Sequence, residues 1–164
     1  MNNSEFQIHN IEPYYNYDSK ILILGSFPSV KSREVGFYYG HPQNRFWKVL
    51  AAVYEDSIPS TIEKKKKFLK VHKIALWDVI GSCEITGSSD SSIKNIEVNP
   101  VGEIIPNTEI KKIIANGKTA EKLYKKYLND KINLPFESLP STSPANASYS
   151  LEKLTKLWNK SIKI

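Results

Sequence analysis

Apolar residues along this chain occur in short blocks, and the spacing within each block predicts alternating strands and helices. Short apolar segments predict strands at residues 21–24, 73–77, 111–115 and 134–139, and the first of these is an unbroken apolar run that predicts a buried strand. Apolar residues three and four positions apart predict helices at residues 44–54, 61–71, 119–128 and 150–160. This alternation is typical of a parallel sheet covered on both faces, so we expect one α/β domain over residues 1–164.

Small, polar or turn-forming residues follow each predicted strand. These exits are Gly25-Ser26, Trp77-Asp78, Asn116-Gly117 and Pro140-Ser141-Thr142-Ser143. Ligands of parallel sheets bind beyond the carboxyl ends of the strands, so we expect the exits to build one site. A simple turn accounts for glycine or proline there, whereas it does not require the polar side chains of Asp78 and Asn116.

Composition places the chain among globular proteins with a basic surface. Apolar residues make up 40% and charged residues 24%, and no apolar run is long enough to span a bilayer. The polar N-terminus does not resemble a signal peptide, so we expect a cytoplasmic protein with no membrane partner. The net charge of +6 favours a polyanionic partner, although the run from Lys64 to Lys67 is also typical of a solvated helix face.

The single cysteine, Cys83, limits the chemistry that the chain can carry. It cannot form an internal disulfide, and it cannot supply the several thiolates of a structural zinc or iron–sulfur site. We therefore expect no metal site built from thiolates, and a reducing compartment.

Aromatic and polar residues crowd together directly after the first predicted strand, at Tyr38, Tyr39, His41, Gln43, Asn44 and Arg45. Such a set suits a pocket that stacks a flat ring and hydrogen-bonds its edges. One of the two tyrosines is expected in the core. His41 is either a helix cap or a ligand contact. Asn44, at the predicted helix start, is either a cap or an amide that holds a water or a base edge.

Three further segments are candidates for the same pocket. The turn of Gly25, Ser26 and Phe27 can bring backbone amides close to a ligand, because glycine permits close approach. A buried Asp78 needs partners, and it can cap a turn, accept from a base edge or offset positive charge. The stiff loop after the fourth strand carries hydroxyls that suit phosphate contacts, or it simply leads into the last helix.

Five spaced motifs in this chain resemble the uracil-DNA glycosylase superfamily. They are GSFPS, YYGHPQNRFW, ALWDVIGSCEITGSSDSSI, ANG and LPSTSPANA, and they span residues 20–160. The set is most similar to the hypoxanthine-DNA glycosylase (DNA-deoxyinosine glycosylase) branch. The segment HPQNRFWKV is also similar to the first motif of the mismatch-specific uracil/thymine-DNA glycosylases.

The resemblance implies a three-layer α/β/α sandwich around a four-stranded parallel sheet. It also implies a monomeric, monofunctional glycosylase that removes a deaminated base from DNA without metal or cofactor. Asn44 and Asn116 match catalytic asparagines, and Tyr39 matches the aromatic that stacks on the flipped base. The remaining substrate contacts implied are Gly25, Ser26, Phe27, His41 and Asp78, and the implied DNA contacts are Ser141, Thr142, Ser143, Pro144 and Ala145.

The chain departs from the superfamily pattern in two places. Many members place Asp or Asn at the third position of the first turn to hold the attacking water, whereas this chain has Phe27. The hypoxanthine branch shares this kind of apolar residue, which disfavours efficient general uracil removal. The loop that enters the duplex also lacks a large apolar wedge, since its nearest counterparts are Ser143 and Pro144.

Several alternatives remain open at this point. The main enzymatic alternative is a mismatch-specific glycosylase that acts on uracil or thymine. A basic surface and a loop would also suffice for a non-catalytic binder of damaged or single-stranded nucleic acid. A nucleotide-binding α/β domain of unrelated role is the fourth possibility.

Overall fold

A computed structural model of the protein describes residues 4–162. Its centre is a four-stranded parallel sheet made of β2 (Ile21–Gly25), β3 (Ile74–Asp78), β6 (Lys112–Asn116) and β7 (Phe136–Leu139). The strands lie in the order β3-β2-β6-β7. The two inner strands are almost wholly apolar because both of their faces are covered. All four predicted strands are therefore confirmed, with bounds shifted by one or two residues.

Helices cover both faces of this sheet. They are α1 (Val30–Val35), α2 (Phe46–Tyr54), α3 (Ile62–His72), α4 (Lys118–Tyr127) and α5 (Leu151–Ile162). The crossovers from β2 to β3 and from β6 to β7 run in opposite directions across the sheet, so right-handed connections place their helices on opposite faces. Helix α5 packs against α2, where Trp158 meets Phe46 edge to face. The result is the expected three-layer α/β/α sandwich.

A second sheet, which the apolar pattern did not predict, lies beside the first. Strands β1 (Glu5–Ile8), β4 (Ile80–Ile85) and β5 (Lys94–Val98) pair antiparallel in the order β1-β4-β5. Strand β4 begins two residues after β3 ends, and the chain changes sheets at Val79. The side chain of Asn99 stabilises this change by donating to the carbonyl oxygens of Asp78 and Ile80, at 2.9 and 3.0 Å.

The start of α2 corrects one expectation. The sequence predicted a helix that begins at Asn44, whereas the helix begins at Phe46. His41 and Asn44 instead lie in the turn before it. The side chain of Asn44 still acts as a cap, because its Oδ1 accepts from the backbone N–H of Phe46 at 2.9 Å.

Two features of the described residues bear on earlier expectations. Between residues 4 and 162, no helix combines the length and hydropathy needed to cross a membrane. The lysines from Lys64 to Lys67 lie in α3, mostly exposed, with the ammonium group of Lys65 over the ring of Trp47.

Candidate active site

The carboxyl ends of all four parallel strands open onto one pocket of about 530 Å³. The thirteen residues that the sequence nominated as catalytic, substrate-binding or DNA-binding all line it. These residues are spread over positions 25–145 of the chain, so their convergence follows from the parallel topology. Serines and Asp90 of the loop 88–91, which the sequence analysis did not nominate, close another side.

Asn44 and Asn116 are joined through the buried side chain of Thr142. The backbone N–H of Thr142 donates to Asn116 Oδ1 at 3.1 Å, which places the Asn116 amide nitrogen 3.0 Å from Thr142 Oγ1. The Thr142 hydroxyl therefore accepts from Asn116 and donates its own proton to Asn44 Oδ1, 2.8 Å away. Because Phe46 N–H also donates to that oxygen, the amide nitrogen of Asn44 is left to face the pocket.

The loop after β7 is held by Arg45. Its guanidinium donates to the carbonyl oxygens of Ser143 and Asn146, at 3.0 and 3.1 Å, and also to that of Tyr149. The backbone N–H of Arg45 donates to the carbonyl of Thr142 at 3.1 Å. A single side chain thus fixes the loop that carries Ser141 to Ala145 against the start of α2.

Gly117 allows this loop to approach β6 closely. Its φ of 98° is accessible mainly to glycine, and a Cβ there would lie 2.9 Å from the Cβ of Ser141. The contact brings Ser141 to the edge of the pocket beside Asn116.

Tyr39 forms one wall of the pocket in a strained backbone conformation. Its φ is 54°, and its ring stacks on Phe46 with centroids 3.9 Å apart. The hydroxyl is buried without a hydrogen-bond partner. Burial raises the pKa of Tyr39 far above its ordinary value, as does the charge of Asp78, while the nearby Asn116 amide acts in the opposite direction. The group therefore stays neutral and can hydrogen-bond a ligand.

Tyr38, by contrast, is a core residue. It is 2% exposed, and its hydroxyl donates to the carbonyl of Glu12 at 2.8 Å. The expectation that one of the two tyrosines lies in the core is therefore met by Tyr38.

Asp78 ends β3 at the pocket floor and pairs with a residue that the sequence analysis missed. His9, just after β1, lies with its Nε2 2.8 Å from Asp78 Oδ2, and the two side chains are 3% and 5% exposed. Gly25 is needed beneath this carboxylate because a Cβ there would lie 2.4 Å from Asp78 Oδ1. No pattern in the sequence marks His9, which follows a short exposed strand 69 positions before its partner.

A second carboxylate, Asp90, faces the pocket from the loop before β5. Its Oδ1 accepts from the hydroxyl of Ser26 at 3.0 Å. Desolvation raises the pKa of Asp90, and the negative charge of Asp78 adds to the increase, while hydrogen bonds from Ser26 and Thr119 oppose it. The pocket thus holds two carboxyl groups in different environments.

His41 and Phe27 contribute at the rim and the floor. The Nδ1 of His41 accepts from the backbone N–H of Gln43 at 3.1 Å, as a capping histidine would, and the ring still lines the pocket. Phe27 is 8% exposed and packs edge to face against His9. Within residues 4–162, no group of three or more His, Cys, Asp or Glu side chains is arranged to hold a metal ion.

A protein-family model for the uracil DNA glycosylase superfamily matches residues 12–162 of this chain. The chain belongs to that superfamily. The predicted family and the assignment as a DNA glycosylase are thereby confirmed, as is the fold class.

Two relatives of this uracil DNA glycosylase superfamily member are named hypoxanthine DNA glycosylase. One, from Methanosarcina acetivorans, is 37% identical over 137 residues, which cover 81% of this chain and 84% of the relative. Another, from Methanosarcina barkeri, is 36% identical over 110 residues, which cover 65% of this chain and 68% of the relative.

A solved structure shares the fold of this superfamily member. It is a solution NMR structure of a Methanosarcina acetivorans protein assigned provisionally as a uracil DNA glycosylase. The TM-score is 0.81 at 31% identity, and the match covers 95% of this chain and 97% of the other.

Proposed function

We propose that this protein is a monofunctional DNA glycosylase that removes hypoxanthine from DNA as the first step of base excision repair. The observation that carries the proposal is the Asn44–Thr142–Asn116 network at the mouth of four parallel strands. Two relatives named hypoxanthine DNA glycosylase, each more than a third identical, support the choice of base.

The pocket suits a nucleotide that has left the duplex. A target base inside a duplex is unreachable, so it must be flipped out at a cost of a few kcal/mol, which is lowest for a poorly paired deaminated base. Tyr39 offers an aromatic wall for such a base. The Arg45-anchored loop of Ser141 to Ala145 presents backbone and hydroxyl groups that suit the phosphates on either side.

Cleavage of the glycosidic bond passes through an oxocarbenium-like sugar and leaves negative charge on the departing base. A preorganised donor aimed at that charge lowers the barrier. The free amide N–H groups of Asn44 are such donors, because Thr142 and Phe46 already occupy its carbonyl oxygen. We therefore assign Asn44 to the leaving base rather than to activation of the water.

The attacking water needs an acceptor that Phe27 does not provide. The carboxylate of Asp90 lines the pocket and can accept a hydrogen bond from this water. An oxocarbenium ion is a strong electrophile, so a water held by a hydrogen bond attacks without full deprotonation. We assign Asn116 to a second polar contact with the flipped nucleotide, since its amide lies between Thr142 and Tyr39.

The test uses duplexes that each carry one hypoxanthine, uracil, xanthine or mismatched thymine, incubated with excess protein and then treated with alkali. We expect abasic sites to form fastest at hypoxanthine. Faster cleavage of uracil or thymine opposite guanine would favour a mismatch-specific enzyme. Binding without an abasic product would favour a non-catalytic binder.

The cytoplasmic location and the monomeric state stay predictions. Size-exclusion chromatography with light scattering measures the second directly, and a mass near 18.7 kDa is expected.

A further inference from the structure

The His9–Asp78 pair is the most deeply buried ionisable contact at the pocket. Its two side chains are 3% and 5% exposed, with 2.8 Å between His9 Nε2 and Asp78 Oδ2. The His9 ring packs against Phe27 at 5.9 Å and against Tyr38 at 6.2 Å. Such a contact is stable when one group donates a hydrogen bond and the other accepts it, because an unpaired buried charge is costly.

A backbone contact indicates which ring nitrogen of His9 donates to Asp78. The backbone N–H of Ile11 points at His9 Nδ1 from 3.4 Å, so Nδ1 acts as an acceptor. Nε2 is then the ring nitrogen that donates to Asp78 Oδ2. The hydrogen bond holds Asp78 in a fixed orientation, in the way that a carboxylate and a histidine orient each other in many enzyme sites.

The second oxygen of Asp78 faces the pocket. Among residues 4–162, none donates to Oδ1, and Asp78 lines the cavity. This oxygen lies over Gly25, where a Cβ would come within 2.4 Å of it. The backbone of Asp78 is also immobilised, since it pairs with Gly25 in the sheet and its carbonyl accepts from Asn99.

We propose that His9 is a positioning residue that fixes Asp78 as an acceptor for a ring N–H of the flipped base, so that the pocket distinguishes deaminated bases from their parents. This inference rests on the proposed function. Deamination converts N1 of adenine, an acceptor, into the N1–H donor of hypoxanthine. It likewise converts N3 of cytosine into the N3–H donor of uracil. One fixed acceptor therefore reads the change common to both.

Adenine in the same position would place a lone pair against the carboxylate. A buried acceptor left without a donor weakens binding by about tenfold or more, whereas the N–H of hypoxanthine pairs with it. Guanine also carries N1–H, so its exclusion must depend on other contacts.

The test compares single-turnover excision of hypoxanthine by the wild type, His9→Phe and His9→Gln. His9→Phe keeps a ring but removes the donor, so we expect excision to slow by about tenfold or more. Binding to a duplex with an abasic site, which has no base to read, should stay within about twofold. His9→Gln retains an N–H donor, and we expect it to recover most of the wild-type rate.

A matched control is His72→Gln, because His72 and Asp56 form a similar pair at 2.9 Å that lies outside the pocket and is more exposed. We expect this variant to match the wild type. If His9→Phe does not fold, Asp78→Asn tests the same point with an isosteric side chain. Its amide would accept from His9 and turn a donor towards the base, so hypoxanthine excision should fall and the adenine-to-hypoxanthine ratio should rise.

The outcomes separate this inference from the function on which it rests. If the wild type excises hypoxanthine and a folded His9→Phe or Asp78→Asn variant does so at the same rate, the inference alone is overturned. A wild type that leaves every tested base intact would overturn the proposed function and the inference with it.

Discussion

At the scale of single residues, polar groups without protein partners mark where a substrate would bind. The Tyr39 hydroxyl is buried and unpaired. The carbonyl oxygen of Asn44 already accepts from Thr142, so its amide nitrogen remains as a donor. The side chain of Asp78 lines the cavity. Buried polar atoms are normally paired, so the unpaired Tyr39 hydroxyl at the cavity wall indicates a ligand that supplies the missing contact.

Tyr39→Phe removes the unpaired hydroxyl while keeping the ring on Phe46. We expect the melting temperature to stay unchanged or to rise, because the lost hydroxyl has no partner in the free protein. Single-turnover excision of hypoxanthine should slow by about tenfold if the hydroxyl binds the base. A variant that loses stability and keeps its full rate would contradict both halves of this expectation.

Asp90→Asn tests the raised pKa of that carboxyl. A carboxyl whose pKa is raised by folding binds its proton more tightly in the native state. Its ionisation therefore lowers the free energy of unfolding as the pH rises from the ordinary pKa of 3.8 through the raised pKa. Asparagine removes this cost and still accepts from Ser26. We expect the variant to gain stability relative to the wild type between pH 4 and pH 7, as measured by thermal melts. A stability difference that is constant over this range would show that Asp90 titrates normally.

At the scale of elements, the site depends on contacts that fix loops to the ends of strands. Arg45 anchors the loop after β7, and Asn99 holds the change from β3 to β4. The sequence analysis placed Arg45 among the pocket residues and did not single out Asn99. Because both side chains donate to backbone carbonyls, it predicted neither anchoring contact.

Arg45→Lys should loosen the loop of Ser141 to Ala145, because lysine cannot reproduce a planar donor that contacts three carbonyls. We expect faster amide hydrogen exchange in residues 143–149 and weaker binding to duplex DNA. Lys156→Arg, at an exposed position of α5, is the matched charge-conserving control. Unchanged exchange in the loop would mean that Trp158, which donates to the Pro140 carbonyl, is enough to hold it.

Strand exits were predictable from sequence because parallel strands must end at one edge of their sheet. Gly25, Asp78, Asn116 and Ser141 were found in this way. The antiparallel sheet was missed because β3 and β4 are separated by Val79 alone, so one apolar run contains two strands in different sheets. His9 was missed because its role depends on that sheet, where its backbone N–H pairs with the carbonyl of Gly81 at 2.7 Å.

At the scale of the whole molecule, the three layers bring residues from distant parts of the chain to one pocket. The protein that carries this pocket is basic, with a net charge of +6. The positive charge favours association with DNA, and the residues of the pocket carry out the reaction. In the proposed reaction, this pocket breaks the bond between hypoxanthine and deoxyribose, with Asn44 donating to the leaving base.

The most direct test is the single-turnover rate of abasic-site formation at one deoxyinosine, measured for the wild type, Asn44→Ala and the exposed control Asn129→Ala. Removal of a donor to a developing negative charge slows catalysis by about a hundredfold or more, so Asn44→Ala should lose that much while Asn129→Ala matches the wild type. An Asn44→Ala protein that forms abasic sites at the wild-type rate would contradict the account.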